Sequence, residues 1–356
     1  MGITLDELQL AARNHGMPLE ALRYDVTPVG LHYLLIHYDI PVVDRSTWRL
    51  TVGGHVAQRL SLSLDDLRDR AAVEVTATME CAGNGRAGLE PRPLSQPWLV
   101  EAVGTARWRG VRLATLLEEA QLLEEAVELV FTGLDRGIEK GVEQRYQRAL
   151  PTEEALSDEV LLAYEMNGAP LLPQHGFPLR LVVPGWYGMT NVKWLTSIEA
   201  VQEPFAGYQH EHAYRMRADE DDEGTPVTRM VPRALLVPPG IPDFHTRART
   251  VGAGAVPLEG RAWSGLAPVA RVEVSVDGSW HDAELAPAES RWTWRRWTFE
   301  WDAKPGEHAL ACRATDEAGN VQPDDPPWNV GGYSNNAVQR VSVTVVEPGY
   351  DQSAPE

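Results

Sequence analysis

Apolar and polar positions follow two different textures along the chain. Before residue 219, short β-rich runs at 48–52, 73–78 and 179–183 are interleaved with helical spacing at 64–68 and 113–123, which predicts a mixed α+β region. Residues 1–22 carry a polar amphipathic pattern and predict a helix. Beyond residue 226 the runs become short and alternating. Arg271-Val272-Glu273-Val274-Ser275-Val276, the turn signal Asp277-Gly278 and then Trp280 predict a hairpin, and further strands are expected at 292–301, 308–314 and 338–346. Such spacing is that of an all-β, immunoglobulin-like sandwich.

Between the two textures lies Asp219-Glu220-Asp221-Asp222-Glu223-Gly224-Thr225-Pro226, self-repelling and closed by structure-breaking residues. It reads as a solvated linker, and the expected domains are 1–222 and 223–356. A chain of 356 residues is long enough for two separate cores.

Charge narrows the partners. A formal net charge of −19 repels phosphate backbones and anionic lipid, so neither nucleic acid nor a membrane surface is an expected partner. No apolar run reaches the ~20 residues needed to span a bilayer, and the N-terminal stretch lacks the basic and apolar regions of an export signal. A cytoplasmic location is the expectation. In so acidic a chain, clustered basic residues point to a bound anion.

Two cysteines, Cys81 and Cys312, exclude disulfide stapling as a main source of stability. Residues 73–80 read as a strand that delivers Cys81-Ala82-Gly83-Asn84-Gly85-Arg86 into a glycine-rich turn. Exposed turn amides and Arg86 are expected to lower the thiol's pKa and favour a metal-binding thiolate; the bland alternative is a small buried apolar side chain. Gly83-Asn84-Gly85-Arg86-Ala87-Gly88 also fits the spacing of a dinucleotide loop. Pro91, Pro93 and Pro97 follow at once, however, and forbid the helix that such a loop needs.

The Cys81 loop resembles the molybdenum-ligand loop of sulfite oxidases and plant nitrate reductases. The resemblance continues through Leu161-Leu162-Ala163-Tyr164-Glu165-Met166-Asn167-Gly168, His175-Gly176-Phe177-Pro178-Leu179-Arg180 and Val192-Lys193-Trp194-Leu195. It then covers Ala262-Trp263-Ser264-Gly265, residues 271–278, Cys312-Arg313-Ala314 and Gly319-Asn320-Val321-Gln322-Pro323, which are similar to the family's dimerisation domain.

The resemblance implies a molybdopterin-binding α+β domain of the sulfite oxidase type followed by the sandwich, a homodimer, and an enzyme that transfers an oxygen atom on a small oxyanion. Cys81 would be the protein ligand to molybdenum, with Tyr164 and Arg86 as its catalytic neighbours. Asp135, His175, Arg180, Asn191, Val192 and Lys193 would hold the pterin and its phosphate, with His37 and Tyr38 also in contact with it. No haem segment is expected, so electrons would pass to a separate acceptor, cytochrome-like or otherwise. Nitrate or sulfoxide reduction, or a binding protein that has lost its chemistry, are the alternatives.

The family pattern is interrupted twice. Ile36-His37-Tyr38 stands ahead of Pro41 where the family has Arg-Asn-His, and Leu266-Ala267-Pro268 follows Trp263-Ser264-Gly265 without the family arginine. Arg229 and Arg233 are candidates to replace that positive charge. His210 and His212 lack a third metal ligand and read as surface, while Trp292, Trp294, Trp297 and Trp301 read as sandwich core and dimer interface.

Overall fold

The computed structural model describes residues 2–347. Its contacts divide into two compact units: one formed by residues up to Gly16, Pro28–Met230 and Trp328–Asn335, the other by Met17–Thr27, Val231–Pro327 and the chain from Asn336 onward. The crossing therefore falls at Met230 and not at the acidic run. Asp219 to Glu223 instead form the tip of a small hairpin between Arg215–Met216 and Thr225–Pro226. There the carboxylates cap backbone amides, Asp219 accepting from Asp221 and Asp222 at 3.0 and 2.9 Å and Asp222 from Ala218 at 2.8 Å. The same acids that repel one another also stabilise a turn.

The N-terminal helix is shorter than its pattern predicts, Leu5–Arg13. Thr4 and Glu7 form a reciprocal cap, Glu7 N–H donating to the Thr4 hydroxyl at 3.2 Å and Thr4 N–H to the Glu7 carboxylate at 2.8 Å. Asn14 turns to extended backbone and its side chain accepts from the Ile36 amide at 2.6 Å, and Gly16 and Pro18 prevent the helix from resuming.

The first unit is built on two sheets. One has the order Leu60–Leu62, Leu50–Gly54, Leu195–Val201, Glu128–Glu139, Val142–Pro151, antiparallel except where Leu50–Gly54 and Leu195–Val201 run together. The other runs Val73–Glu80, Val103–Arg112, Leu161–Met166, Ala169–Pro170, with Arg180–Val182 also paired to Leu161–Met166. Short helices Leu64–Arg68 and Leu113–Glu119 coincide with the predicted helical spacing, and their Leu64, Leu67, Leu113, Leu116 and Leu117 join one core with Leu50, Phe131, Leu162 and Ile198. Each such leucine stabilises by about 1.5–3 kcal/mol on burial.

Two features of these sheets position chemistry. Strand Val73–Glu80 pairs with Val103–Arg112 up to Glu80 opposite Val103, so Cys81 is the first residue past the ladder. Strand Glu128–Glu139 breaks register on both sides, after Thr132 against Leu195–Val201 and between Thr132 and Arg136 against Val142–Pro151. Asp135 sits in that irregularity, where a bulge re-aims its side chain inward.

The second unit is a sandwich. A four-stranded sheet (Arg233–Leu236, Gly254–Trp263, Arg295–Ala303, Glu284–Leu285) and a six-stranded one (Ile241–Pro242, Arg249–Gly252, Gln339–Val346, Gly306–Asp316, Val269–Val276, Ser279–Asp282) supply a common core. The expected hairpin is present, with Asp277 and Gly278 both at positive φ, 50° and 88°. Trp297 and Trp301 are in the core and Trp294 is buried beside them, its indole donating to the Asp25 carbonyl at 2.9 Å.

Candidate active site

Cys81 is placed by a dense set of backbone bonds. Its amide donates to Ala102 at 2.9 Å and its carbonyl accepts from Asn84 at 2.9 Å, while the Asn84 side chain bridges Glu80, Val100 and Ala102 at 3.0, 3.2 and 3.0 Å. Segment Trp328–Asn335 closes over the loop, with Ser334 N–H on the Ala82 carbonyl at 2.8 Å and Asn335 Nδ2 on that of Gly85 at 2.6 Å. Only glycine fits at 85, because φ is +91° and a Cβ would lie 2.4 Å from the Asn335 carbonyl oxygen.

The loop's effect on the thiol differs from expectation. Burial pushes the Cys81 thiol up, and this outweighs the opposing pull of Arg86 and of the Gly83 backbone. A thiolate here requires a stronger cation than the loop itself supplies.

Cys81 lines a recess whose empty space, mouth included, is ≈ 680 Å³. The recess brings together seven of the sequence-predicted residues: Cys81, His37, Asp135, His175, Arg180, Asn191 and Lys193. It also exposes residues that the pattern did not single out, among them His32, Tyr33, Tyr146, Met189 and Tyr214.

Its deep wall is polar and incompletely satisfied. Arg180 donates to the His175 and Asn191 carbonyls at 3.2 and 3.3 Å and stacks 4.6 Å above Trp108, yet its Nε has no partner among the described residues. Burial lowers this guanidinium to about 10. Lys193 Nζ donates to Leu35 and Gln174 carbonyls at 2.7 and 3.1 Å. Burial lowers the Lys193 ammonium and raises the Asp135 carboxyl, each partly countered by the other. Asp135 Oδ1 and His32 Nε2 are likewise buried without partners. His32 and His175 meet edge to face at 5.9 Å, and burial lowers them to about 4 and about 2, so both are neutral near pH 7. Gly104 is required beside them, a Cβ there falling 2.6 Å from the His32 ring.

The outer part of the recess is aromatic. Tyr146 donates its hydroxyl to the Met189 carbonyl at 2.6 Å and is hydrogen-bonded to Tyr214. His37 lies 5.2 Å from the Tyr146 ring and 6.4 Å from that of Tyr214. Its Nε2 meets Glu139 Oε1 at 3.0 Å, and the Tyr38 hydroxyl donates to the same oxygen at 2.6 Å. Tyr38 thus faces a neighbouring open hollow and not the recess.

Several of the expected residues are placed outside the recess by the structure. Tyr164 does not line the recess: it is buried in the first unit's core with the Arg68 guanidinium 5.4 Å over its ring. Arg86 does not line it either, since its fork is committed to the Gly331 and Gln96 carbonyls at 2.9 and 3.2 Å and lies over Tyr333 at 5.2 Å. Val192 is a fully buried core residue whose amide donates to Thr190 at 3.0 Å. Arg229 is held by both oxygens of Glu154 at 2.7 Å and cannot supply a free charge. Arg233 belongs to the second unit, buried in strand Arg233–Leu236. His210 and His212 are on one helical turn, Tyr208–Glu211 and its cap, and not on an extended segment. Among the described residues no group of three or more His, Cys, Asp or Glu is arranged to hold a metal.

Residues 37–209 match the family described as an oxidoreductase molybdopterin binding domain, and 243–346 match a Mo-co oxidoreductase dimerisation domain. The chain is 38% identical over 344 residues to human mitochondrial sulfite oxidase, covering 90% of this chain and 62% of that protein. To Gallus gallus sulfite oxidase it is 36% identical over 337 residues, covering 88% and 72%. It therefore spans less than two thirds of the length of the human relative. Among solved structures, the sulfane dehydrogenase SoxCD of Paracoccus pantotrophus superposes with a TM-score of 0.81 at 27% identity, covering 92% of this chain and 84% of that one. With a single cysteine in a polar recess of the right unit and this extent of likeness, the chain belongs to the sulfite oxidase family of molybdopterin oxidoreductases.

Proposed function

We propose that the protein oxidises a small sulfur oxyanion, sulfite to sulfate, with electrons leaving to a separate one-electron acceptor of cytochrome type, and that it works as a homodimer through residues 243–346. The observation that supports this most directly is the conjunction, in one recess, of Cys81 with buried donors and acceptors that lack partners among the described residues: Asp135 Oδ1, Arg180 Nε and His32 Nε2. Buried polar atoms of this kind carry a desolvation cost that a bound ligand relieves. The pterin's amine and amide donors suit Asp135, while its anionic phosphate suits Arg180, Lys193 and the neighbouring His175. Cys81 would be the metal's protein ligand, and the cofactor supplies the redox and oxygen-transfer chemistry.

The chain's own contribution is to hold and to exclude. Asn191 accepts from the Val183 amide at 2.7 Å and donates to the Tyr187 carbonyl at 3.2 Å, so its side chain fixes the loop ahead of Lys193. Tyr146 and Tyr214 present ring faces and hydroxyls where a substrate oxygen would enter. Arg86 acts on Cys81 electrostatically from behind the loop.

A reading as a sulfoxide- or nitrate-reducing enzyme draws support from one feature. The recess lining contains Arg180 as its one arginine among the described residues, and this lies fully buried at the deep wall. Molybdenum analysis of purified protein with a sulfite:ferricyanide assay separates these cases. About one metal per chain with sulfite turnover is expected; metal without sulfite turnover but with sulfoxide or nitrate reduction would favour the second reading.

A further inference from the structure

His37 is the one described residue common to the inner recess and to the open hollow formed by Arg13, Tyr38, Asp39, Arg136, Gly137, Ile138 and Glu139. Its imidazole is fixed from the outer side only. Nε2 faces Glu139 Oε1, and Nδ1 makes no hydrogen bond to any described residue. Glu139 is itself held in place, Oε1 taking the Tyr38 hydroxyl and a longer contact from Gln209 Nε2 at 3.4 Å, with Tyr208 also bonded to the carboxylate. Burial alone would raise the Glu139 carboxyl, but the bonds from His37 and Tyr38 hold it at about 2, so it is an anion throughout the working pH range.

A carboxylate at one ring nitrogen sets the tautomer and leaves the other nitrogen a proton acceptor. The other groups facing His37 supply no competing partner. Tyr38, Tyr146 and Tyr214 surround the ring, Asp135 acts on it at longer range, and Arg13, Asp39 and Arg136 lie around the outer hollow.

We propose that His37, positioned by Glu139, is the general base that removes a proton from the recess and releases it to solvent through the hollow. The inference rests on the oxidative reading above. In that direction water provides the oxygen added to the substrate, and two protons and two electrons are released: the electrons pass singly to the external one-electron acceptor, one proton moves from water to His37 Nδ1, and the other leaves to bulk water. The resulting imidazolium is stabilised by the Glu139 carboxylate, each side chain of the pair being about a quarter exposed to water, 28% and 24%. His37 is the proton acceptor; Glu139 is a positioning residue.

The test uses molybdenum-loaded enzyme with ¹⁵N-labelled histidine. Neutral His37 is expected as the Nε2–H tautomer in the wild type and in Glu139→Asp, and to lose that preference in Glu139→Gln. In parallel, the acid limb of the kcat/KM profile should move to lower pH in Glu139→Gln and return in Glu139→Asp. His37→Gln should lower kcat/KM by about 10²–10⁴-fold, the usual range for a lost general base, with partial rescue by added imidazole. An unchanged tautomer and limb in Glu139→Gln, or full activity in His37→Gln, overturns the proposal in enzyme that still carries its metal. A wild type that takes up no molybdenum overturns the underlying functional reading instead, while the tautomer measurement still reports on the dyad.

Discussion

The two units each bury one cysteine, and the two thiols sit in opposite kinds of interior. Cys312 lies mid-strand in Gly306–Asp316, fully buried among Val274, Leu310 and Val343, and burial is the sole influence on its thiol, driving it far up. Cys81 is just past a strand end, and although burial also raises its thiol, Arg86 and the loop backbone pull against that rise. Around Cys312 the core is apolar but for the Trp297 indole N–H; around Cys81, buried atoms of Asp135, His32 and Arg180 have no partner among the described residues. What separates the surroundings of the two thiols is therefore unfilled polar capacity nearby, not burial.

The sharpest way to break this comparison is to exchange sulfur for oxygen at both positions. Cys81→Ser is expected to lower turnover by at least about 10³-fold, roughly 4 kcal/mol of barrier, with the fold intact by circular dichroism. Cys312→Ser should leave turnover per bound molybdenum unchanged. Equal losses of turnover in the two variants would mean that the polar surroundings of Cys81 carry no chemical meaning.

Trp297→Ala probes the other side. The ring is fully buried in the sandwich core, and its loss should cost about 3–5 kcal/mol in denaturant unfolding. Metal content and turnover of the surviving folded protein should not change, because Trp297 belongs to the unit without the recess.

Much of this was legible in the sequence, for identifiable reasons. Strand Val73–Glu80, helix Leu64–Arg68 and the Asp277-Gly278 hairpin follow from local periodicity and turn chemistry, which depend on neighbours in the chain. The recess drew seven residues from the expected set because the motifs around Cys81, His175, Arg180 and Lys193 are local signatures. Tyr146, Tyr214, Glu139 and His32 were missed because nothing local marks them. Their role comes from the register breaks after Thr132 and from the packing of distant segments. The engagement of Arg86 was not legible for the same reason: its expected pull on the Cys81 thiol is present, but the carbonyls of Gly331 and Gln96, 245 and 10 residues away, hold its fork outside the recess.

The units should also differ in how acid affects them. His32 and His175 have folded-state values depressed to about 4 and about 2, so below the unfolded value of 6.5 the unfolded chain binds protons that the folded chain refuses. Stability is then lost as pH falls from 6.5, by up to about 1.4 kcal/mol per pH unit for each ring. In the sandwich, His308 is raised by its bond to Asp277 and works in the opposite sense, adding stability below 6.5 that disappears as pH rises through its folded value. That pair lies at the surface with Asp277 half exposed, and is worth at most about 1 kcal/mol. Thermal melts of cofactor-free protein between pH 7 and 5 should show a falling midpoint that His32→Asn flattens and His308→Asn does not.

The smallest effect expected is also the most discriminating between sequence and structure. Tyr164 sits in a motif that resembles the family's active-site surroundings, yet the side chain is in the core and absent from the recess, with Arg68 over its ring. Phenylalanine keeps the ring, the burial and the cation contact, and removes only a hydroxyl that lies outside the recess lining. Tyr164→Phe should therefore change stability by no more than about 0.5 kcal/mol, the usual range for substitutions that disturb no packing, and leave kcat unchanged. Tyr214→Phe removes a hydroxyl that is hydrogen-bonded to Tyr146 within the recess and should lower kcat without loss of molybdenum. If steady-state kinetics on equally loaded enzymes gave the reverse order, with Tyr164→Phe impaired and Tyr214→Phe normal, the recess would not be where the substrate reacts.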